Sequence, residues 1–372
     1  MPVTINTSQV VTGATGSLGS HVVAKVSALE DVEKVYCLVR ASSTIEAYDR
    51  LLKSLRARNV YATMSDTARS KLVALPSDLS QPTLGLDSST YHPLTWELTD
   101  IIHCAWSVNF NMQLSSFEKD SIAGLKHLID LCLKAQRPTP ATFNFCSSAS
   151  TVFNTEGTDI PEALPKKLTF AQHMGYAQSK LVGENICIHA AQQTGLRARV
   201  LRIGQVIGDQ AHGIWNPTEA IPLMLQCAKT IGALPALDES PLWLPVDIVA
   251  GSVVDISLSS EADQVFNIVS PHPFHWTRDL LPYLRAAGLE FEELEKRAWV
   301  SRLRQSNPDP AVNPPIKLVE FFASKYDTDQ SRRVQNWHTE KAREVSRTLA
   351  ESRPLNQELV SKIVEHFCKE CW

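Results

Sequence analysis

Short apolar runs recur through the front of the chain, at residues 9–12, 34–39, 71–75, 100–104, 142–146 and 199–203. Each is too short for a stable helix and, save for the phenylalanine-bearing 142–146, is rich in Val, Ile or Leu, which predicts strands buried on both faces. Between them lie longer stretches with apolar positions three and four apart, among them residues 19–29, 117–135 and 176–193. That spacing lines one face of a helix. Strands alternating with helices predict an α/β protein with a parallel, doubly wound sheet, whose ligands bind beyond the carboxyl ends of the strands.

The pattern changes near residue 276. The 97 residues from there to the end hold 16 basic and 15 acidic side chains but only one of the fifteen glycines, Gly288. A glycine-poor, charge-dense tail predicts surface helices, interrupted by the proline-rich stretch 307–315. The expected division is therefore a nucleotide-binding domain over 1–209, with 243–270 returning to it. A smaller, mainly helical subdomain is expected over 210–242 and 271–372. A chain of 372 residues with 44% hydrophobic content supports such cores without disulfide or metal staples.

Net charge −4 is not that of a protein that wraps nucleic acid. No apolar run has the length of a bilayer span, and the first residues lack a basic leader with an apolar core. Eight cysteines are scattered, several within apolar runs, which predicts reduced buried thiols and a cytoplasmic chain. Cys368 and Cys371 make one C-x-x-C without a second pair, so no metal is expected there. The chain starts eight residues before its first strand, without a carrier or adenylation segment, which fits an excised terminal domain or a free-standing enzyme.

Thr12-Gly13-Ala14-Thr15-Gly16-Ser17-Leu18-Gly19 ends the first strand and opens the first helix. Glycines 13, 16 and 19 permit a tight turn, close approach of a pyrophosphate and close helix–strand packing. The free N–H groups of the helix start favour the phosphates. This is a Rossmann-type nucleotide site, with Thr12, Thr15, Ser17 and Leu18 at its lip. The second strand ends in Arg40 where an NAD-selective site carries a carboxylate. An arginine there attracts a 2′-phosphate, so the predicted cofactor is NADPH. Arg50, farther along the next helix, either joins it or is a solvated arginine. Asp78, with Leu79 behind it, ends the third strand and is placed either to accept from an adenine amine or to cap its own turn.

Tyr176-Ala177-Gln178-Ser179-Lys180 sets Tyr176 and Lys180 on one helix face. A neighbouring ammonium would lower the phenol pKa and let Tyr176 exchange a proton near neutrality. The cluster Cys146-Ser147-Ser148-Ala149-Ser150 at the end of the fifth strand offers a second hydroxyl for a carbonyl oxygen. Ser148 is the first candidate and Ser147 its competitor.

The glycine triple, the serines and the Y-x-x-x-K together resemble the extended short-chain dehydrogenase/reductases. Four further stretches narrow the resemblance: Cys37-Leu38-Val39-Arg40, Ile101-Ile102-His103-Cys104-Ala105, Arg202-Ile203-Gly204-Gln205-Val206-Ile207-Gly208-Asp209 and Trp243-Leu244-Pro245-Val246-Asp247. These are similar to the thioester reductase branch, the terminal domains of nonribosomal peptide and polyketide synthetases and of carboxylic acid and aminoadipate reductases. Gly213-Ile214-Trp215-Asn216 and Glu219-Ala220-Ile221-Pro222-Leu223 look most like the fungal synthetase-like enzymes.

The resemblance covers about residues 9–270. It implies hydride transfer from NADPH to an acyl thioester on a carrier protein's phosphopantetheine arm, releasing an aldehyde that a second NADPH would take to an alcohol. It also implies that Ser148 and Tyr176 hold the oxyanion, that Lys180 grips the nicotinamide ribose, and that Ala105, Ile203 and Gln205 line the cofactor cleft. Ser147-Ser148 stands where the family more often has Ser-Thr, which keeps the donor.

Two other functions share parts of this pattern. A nucleotide-sugar epimerase or dehydratase would use the same Ser–Tyr–Lys set, but Arg40 argues against its NAD. A non-catalytic NADP sensor would not need Tyr176 and Lys180. Asn109 is expected either at the cofactor cleft or in a turn, His103 as a core histidine and His173 in a loop. Asp247 is expected to cap a helix over 248–258, and Trp215 and Met224 either to cover the acyl pocket or to pack a core. Arg297, Arg302, Arg304, Arg332 and Arg333 form a candidate docking face for an acidic carrier helix.

Overall fold

The computed structural model describes residues 7–137, 140–261, 264–328 and 334–372. Seven strands form one parallel sheet: Thr7–Thr12 (β1), Val32–Val39 (β2), Leu72–Pro76 (β3), Asp100–His103 (β4), Thr142–Ser148 (β5), Ala198–Ile203 (β6) and Val265–Ile268 (β7). Their spatial order is β7-β6-β5-β4-β1-β2-β3, all parallel, so the winding reverses between β1 and β4. That reversal opens the crevice where nucleotides bind in such sheets. Thr12 pairs with both Leu38 and His103, and Ser148 with Ile203, which brings the predicted site residues to one edge.

Alternate side chains serve opposite faces of the sheet, and both faces are covered, so most strand residues are buried. Val10 packs with Leu125, Leu128, Phe143, Phe145 and Cys187 on one side, while Val11, on the other, is equally buried. Helices Ser17–Ser27 and Val246–Ser257 pack together, and Gly175–Thr194 lies against β5 and β6. β5 runs two residues past the apolar stretch, so Ser147 and Ser148 are its last strand residues. A short 3-10 turn, Ala149–Thr151, follows. The predicted helix 117–135 begins instead as a 3-10 turn and a wide π turn and becomes α-helical at Ala123.

The chain divides into two compact units. The first comprises Met1–Gly204, Val246–Val269 and Gln335–Ser352; the second comprises Gln205–Pro245, Ser270–Val334 and Arg353–Trp372. The segment Gln335–Ser352 thus runs with the sheet, where composition alone assigns it to the tail. Its anchor is the buried Glu162 carboxylate, which accepts from the N–H groups of Asn267 at 3.0 Å, Lys341 at 2.7 Å and Ala342 at 3.1 Å. The helix of the returning segment starts at Val246, so Asp247 sits inside its first turn and is not the cap.

The second unit is mainly helical, with two short parallel strand pairs, Gln205–Ile207 with Trp243–Pro245 and Ala233–Ala236 with Glu292–Glu295. Its core is aromatic, built on Trp215, Trp243, Phe274, Trp276, Trp299 and Phe367. Trp215 and Met224 are core residues there, buried within this cluster.

Candidate active site

The glycine turn is shaped by steric exclusion. Gly13 has φ of +69°, and a Cβ on it would stand 2.7 Å from the Ala105 nitrogen. A Cβ on Gly19 would collide with the carbonyl oxygen of Gly13. Both positions therefore require glycine. Gly16 caps the helix that begins at Ser17 and Leu18, and its N–H bonds the Gly13 carbonyl at 2.8 Å. Thr12 Oγ1 accepts from the Ala105 N–H at 3.1 Å, which ties β1 to the loop after β4. The Thr15 carbonyl is held by Ser54 at 2.8 Å.

Arg40 is exposed at the end of β2, and the Arg50 guanidinium reaches back to donate to the Arg40 carbonyl. The Arg50 guanidinium is thereby held at the end of β2, on the backbone of Arg40. Asp78 is exposed, and its carboxylate accepts from the Ser80 N–H at 2.9 Å; hydrogen bonding from the Ser80 side chain, then its backbone, holds it below the usual aspartate pKa. This is the turn-capping alternative. The Leu79 carbonyl bonds the His127 ring at 2.9 Å. Asn109 likewise closes a turn, accepting from the Asn111 N–H at 3.0 Å. His173 is exposed in a loop.

Ser148, Tyr176 and Lys180 converge where β5 ends against the start of the helix Gly175–Thr194. Ser148 Oγ accepts from the Ser150 N–H at 3.2 Å and the Ser150 hydroxyl at 2.9 Å. Its own proton is thereby left free to be donated, and Ser148 is close enough to Tyr176 to oppose the rise of the phenol pKa. Ser147 is not available for this role, because its hydroxyl is buried and donates to Glu184 Oε1 at 2.6 Å. The choice between the two serines follows from strand geometry, since neighbouring side chains point to opposite faces.

The electrostatics differ from the simple expectation. Burial raises the Tyr176 phenol above its ordinary pKa, and the Ser148 hydrogen bond opposes the rise. Lys180 does not lower it here, because the ammonium is engaged elsewhere. Its Nζ donates to the Cys146 carbonyl at 2.6 Å and lies 4.4 Å from the Trp106 ring centre and 4.7 Å from that of Phe145. Burial pulls Lys180 down to about 8. Trp106, which the sequence does not single out, also donates to Ser179 at 3.1 Å. The Cys104 and Cys146 sulfurs are 3.4 Å apart, both as free thiols.

His103 is a core histidine as expected. Burial drives its pKa to about 3, its ring bonds Thr12 Oγ1 at 2.7 Å, and it stacks on Phe145. Ile203 ends β6 and is buried. Gln205 opens the second unit and donates to the neighbouring Val206 carbonyl at 2.8 Å.

The proposed docking arginines are already partnered at the surface of the second unit. Arg302 meets Glu292 at 2.6 Å, Arg304 meets Glu320 at 3.4 Å, and Arg297 meets Asp327 at 3.9 Å. Arg332 and Arg333 lie outside the described residues. Among the described residues no three His, Cys, Asp or Glu side chains group as a metal site, and no helix is long and apolar enough to cross a membrane.

The sequence matches the model of an NAD-binding family described as "male sterility protein" over residues 11–253. It is 32% identical to an adenylate-forming reductase of Heterobasidion annosum over 85% of this chain and 29% of that protein. It is 33% identical to a 3-methylorcinaldehyde synthase of Talaromyces stipitatus over 96% of this chain and 14% of that one. The chain thus spans less than a third of either relative. Its fold is similar to that of the terminal R domain from the myxalamid PKS-NRPS biosynthetic pathway, with a TM-score of 0.84 at 24% identity, covering 98% of this chain and 90% of that one.

Proposed function

Since the chain belongs to the NAD-binding family described as male sterility protein, we propose that it is an NADPH-dependent reductase that releases a carrier-bound acyl thioester as an aldehyde. The observation that carries this function is the meeting of Ser148, Tyr176 and Lys180 beside the glycine turn. The names of the relatives, a reductase and an aldehyde synthase, support it.

The residues fit the cofactor. A turn with no room for a Cβ at Gly13 or Gly19 suits the close approach of a pyrophosphate. An exposed arginine at the end of β2, Arg40, with the Arg50 guanidinium held on its backbone carbonyl, suits a 2′-phosphate, a group that NADH lacks. When bound, NADPH supplies a hydride to the acyl carbonyl carbon.

Ser148 and Tyr176 then donate to the carbonyl oxygen as it gains negative charge, and Tyr176 delivers the proton. Lys180 would hold the nicotinamide ribose hydroxyls and supply positive charge near Tyr176. As the carbon–sulfur bond of the resulting hemithioacetal breaks, its hydroxyl proton is given up and the departing sulfur takes up one, so the thiol leaves on the pantetheine arm and the carbonyl re-forms as the aldehyde. One hydride and one proton are consumed per thioester. Phe110, exposed and edge-on to the Tyr176 ring at 5.3 Å, offers an apolar contact for the acyl group.

The substrate arrives on a phosphopantetheine carrier protein, so binding energy remote from the carbonyl is available to position it. The test measures NADPH consumption with one acyl group on a carrier and on free pantetheine, at low and high salt, with products identified by mass. Higher kcat/KM on the carrier, shrinking with salt, is expected. Equal efficiencies would remove the carrier from the proposal, and no consumption with any thioester or aldehyde would overturn it. Alcohol among the products would show that the aldehyde is reduced a second time.

A further inference from the structure

One buried charge cluster in the sheet unit is not used by this chemistry. Glu184 lies one turn beyond Lys180 on the same helix and, like Arg202 on β6, is fully buried. The guanidinium grips the carboxylate through three contacts, Nε to Oε1 at 3.0 Å, Nε to Oε2 at 3.1 Å and Nη2 to Oε2 at 2.7 Å. The same carboxylate oxygen, Oε1, accepts from Ser147 Oγ at 2.6 Å and from Thr151 Oγ1 at 2.9 Å. Thr151 Oγ1 also reaches the carbonyl of Ser148 at 2.8 Å.

These hydroxyls bracket Ser148, one on the residue before it and one three residues after. A fully buried ion pair between aligned elements is weak evidence for stability, because desolvation offsets much of its attraction. Its geometry here is more specific than packing alone demands. One carboxylate, fixed in orientation by a bidentate arginine, holds both ends of the short segment that presents Ser148. It does so from the helix that carries Tyr176 and Lys180.

We propose that Glu184, oriented by Arg202, is a positioning residue that sets the Ser148 hydroxyl against Tyr176 through Ser147 and Thr151. The inference rests on the proposed reductase function, since it assigns a task within that site. Ser148 lies at the junction of a strand and a 3-10 turn, where its hydroxyl is held from Ser150, itself part of the short turn that Thr151 ties to Glu184. Displacing a reacting group by about an ångström can cost on the order of 100-fold in turnover, so loosening this clamp should be visible in kcat.

The experiment uses the full chain with NADPH and benzoyl- and octanoyl-pantetheine as probes. Ser147→Ala combined with Thr151→Val removes both donors to Glu184 and leaves the ion pair and Ser148 in place. Turnover should fall roughly 10- to 100-fold, while NADPH affinity, read by fluorescence titration, stays within about twofold because the glycine turn is untouched. Ser147→Thr with Thr151→Ser keeps both hydroxyls and should retain most of the activity. In a Ser148→Ala background the double change should cost nothing further, because its effect passes through Ser148.

If the double variant does not fold, Ser147→Ala alone carries the same cycle with a smaller effect. Wild-type turnover in the folded variant, or a loss that adds in full to that of Ser148→Ala, would overturn the positioning role. A wild-type protein inactive on both probes, on their aldehydes and on carrier-bound acyl groups would instead overturn the proposed function. The two failures are therefore distinct.

Discussion

Replacing Lys180 by methionine should abolish turnover and yet make the apo protein more stable. Lys180 is 3% exposed, and burial draws it from 10.5 to about 8. At about 1.4 kcal/mol per tenfold change in an ionisation constant, keeping it charged costs the folded state roughly 3 kcal/mol at neutral pH. Methionine keeps an apolar stem of similar length but leaves the Cys146 carbonyl without its donor, a loss of about 1 kcal/mol. The net gain is about 2 kcal/mol, or roughly 2–4 °C in Tm per kcal/mol for a unit of this size.

The pH dependence gives the sharper test. Below about pH 8 the lysine is charged in both states, and its whole cost is present. Between about pH 8 and 10.5 the native protein has released the proton while the unfolded chain still holds it. The unfolded state then binds more protons, so wild-type stability rises with pH across that window and levels off above it. Lys180→Met lacks this slope. Thermal or urea unfolding of both proteins from pH 7 to pH 10.5 should show the variant ahead at pH 7 and the difference closing as pH rises. A wild type more stable than the variant at pH 7, or a gap that does not change with pH, would refute the reasoning.

Three further changes probe separate parts of the site. Tyr176→Phe keeps the ring and removes the proton donor, so turnover should fall about 10²–10⁴-fold while NADPH still binds; turnover like the wild type's would place the acid elsewhere. Arg40→Ala should weaken NADPH binding roughly 10- to 100-fold and leave NADH binding nearly unchanged, measured by titration calorimetry; equal affinity of the unmodified protein for both cofactors would exclude the 2′-phosphate contact. Gly13→Ala forces a side chain into the left-handed region, at about 1–2 kcal/mol, and against the Ala105 backbone. Lower Tm together with NADPH affinity reduced more than about tenfold is the expected result, and unchanged affinity would mean that the turn does not hold the phosphates.

Alternation of short apolar runs with amphipathic stretches is a local property, and it determined the parallel sheet and the helices between its strands. The glycine turn, the serine cluster and the Y-x-x-x-K spacing are local too. Each is a few residues long and lies where a strand ends or a helix begins, so the sequence alone places them at one edge of the sheet. What it leaves open are choices made between elements distant in the chain. Ser147 and Ser148 are chemically alike, and only Glu184, 37 residues away, decides that Ser147 is spent on a buried carboxylate. That Asp78 accepts from the Ser80 N–H of its own turn shows only in the structure, since the sequence offers it equally to an adenine amine. An arginine inside the apolar run of β6 signals a buried partner, but names none; Glu184 becomes that partner when the helix packs on the sheet. The return of Gln335–Ser352 to the sheet unit rests on contacts distant in sequence, among them the Lys341 and Ala342 N–H groups on the Glu162 carboxylate, which also accepts from the Asn267 N–H. Spacing along the chain sets backbone conformation, because conformation depends on near neighbours. Burial and pairing of polar groups depend on which surfaces the folded chain presses together, and those meet only in three dimensions.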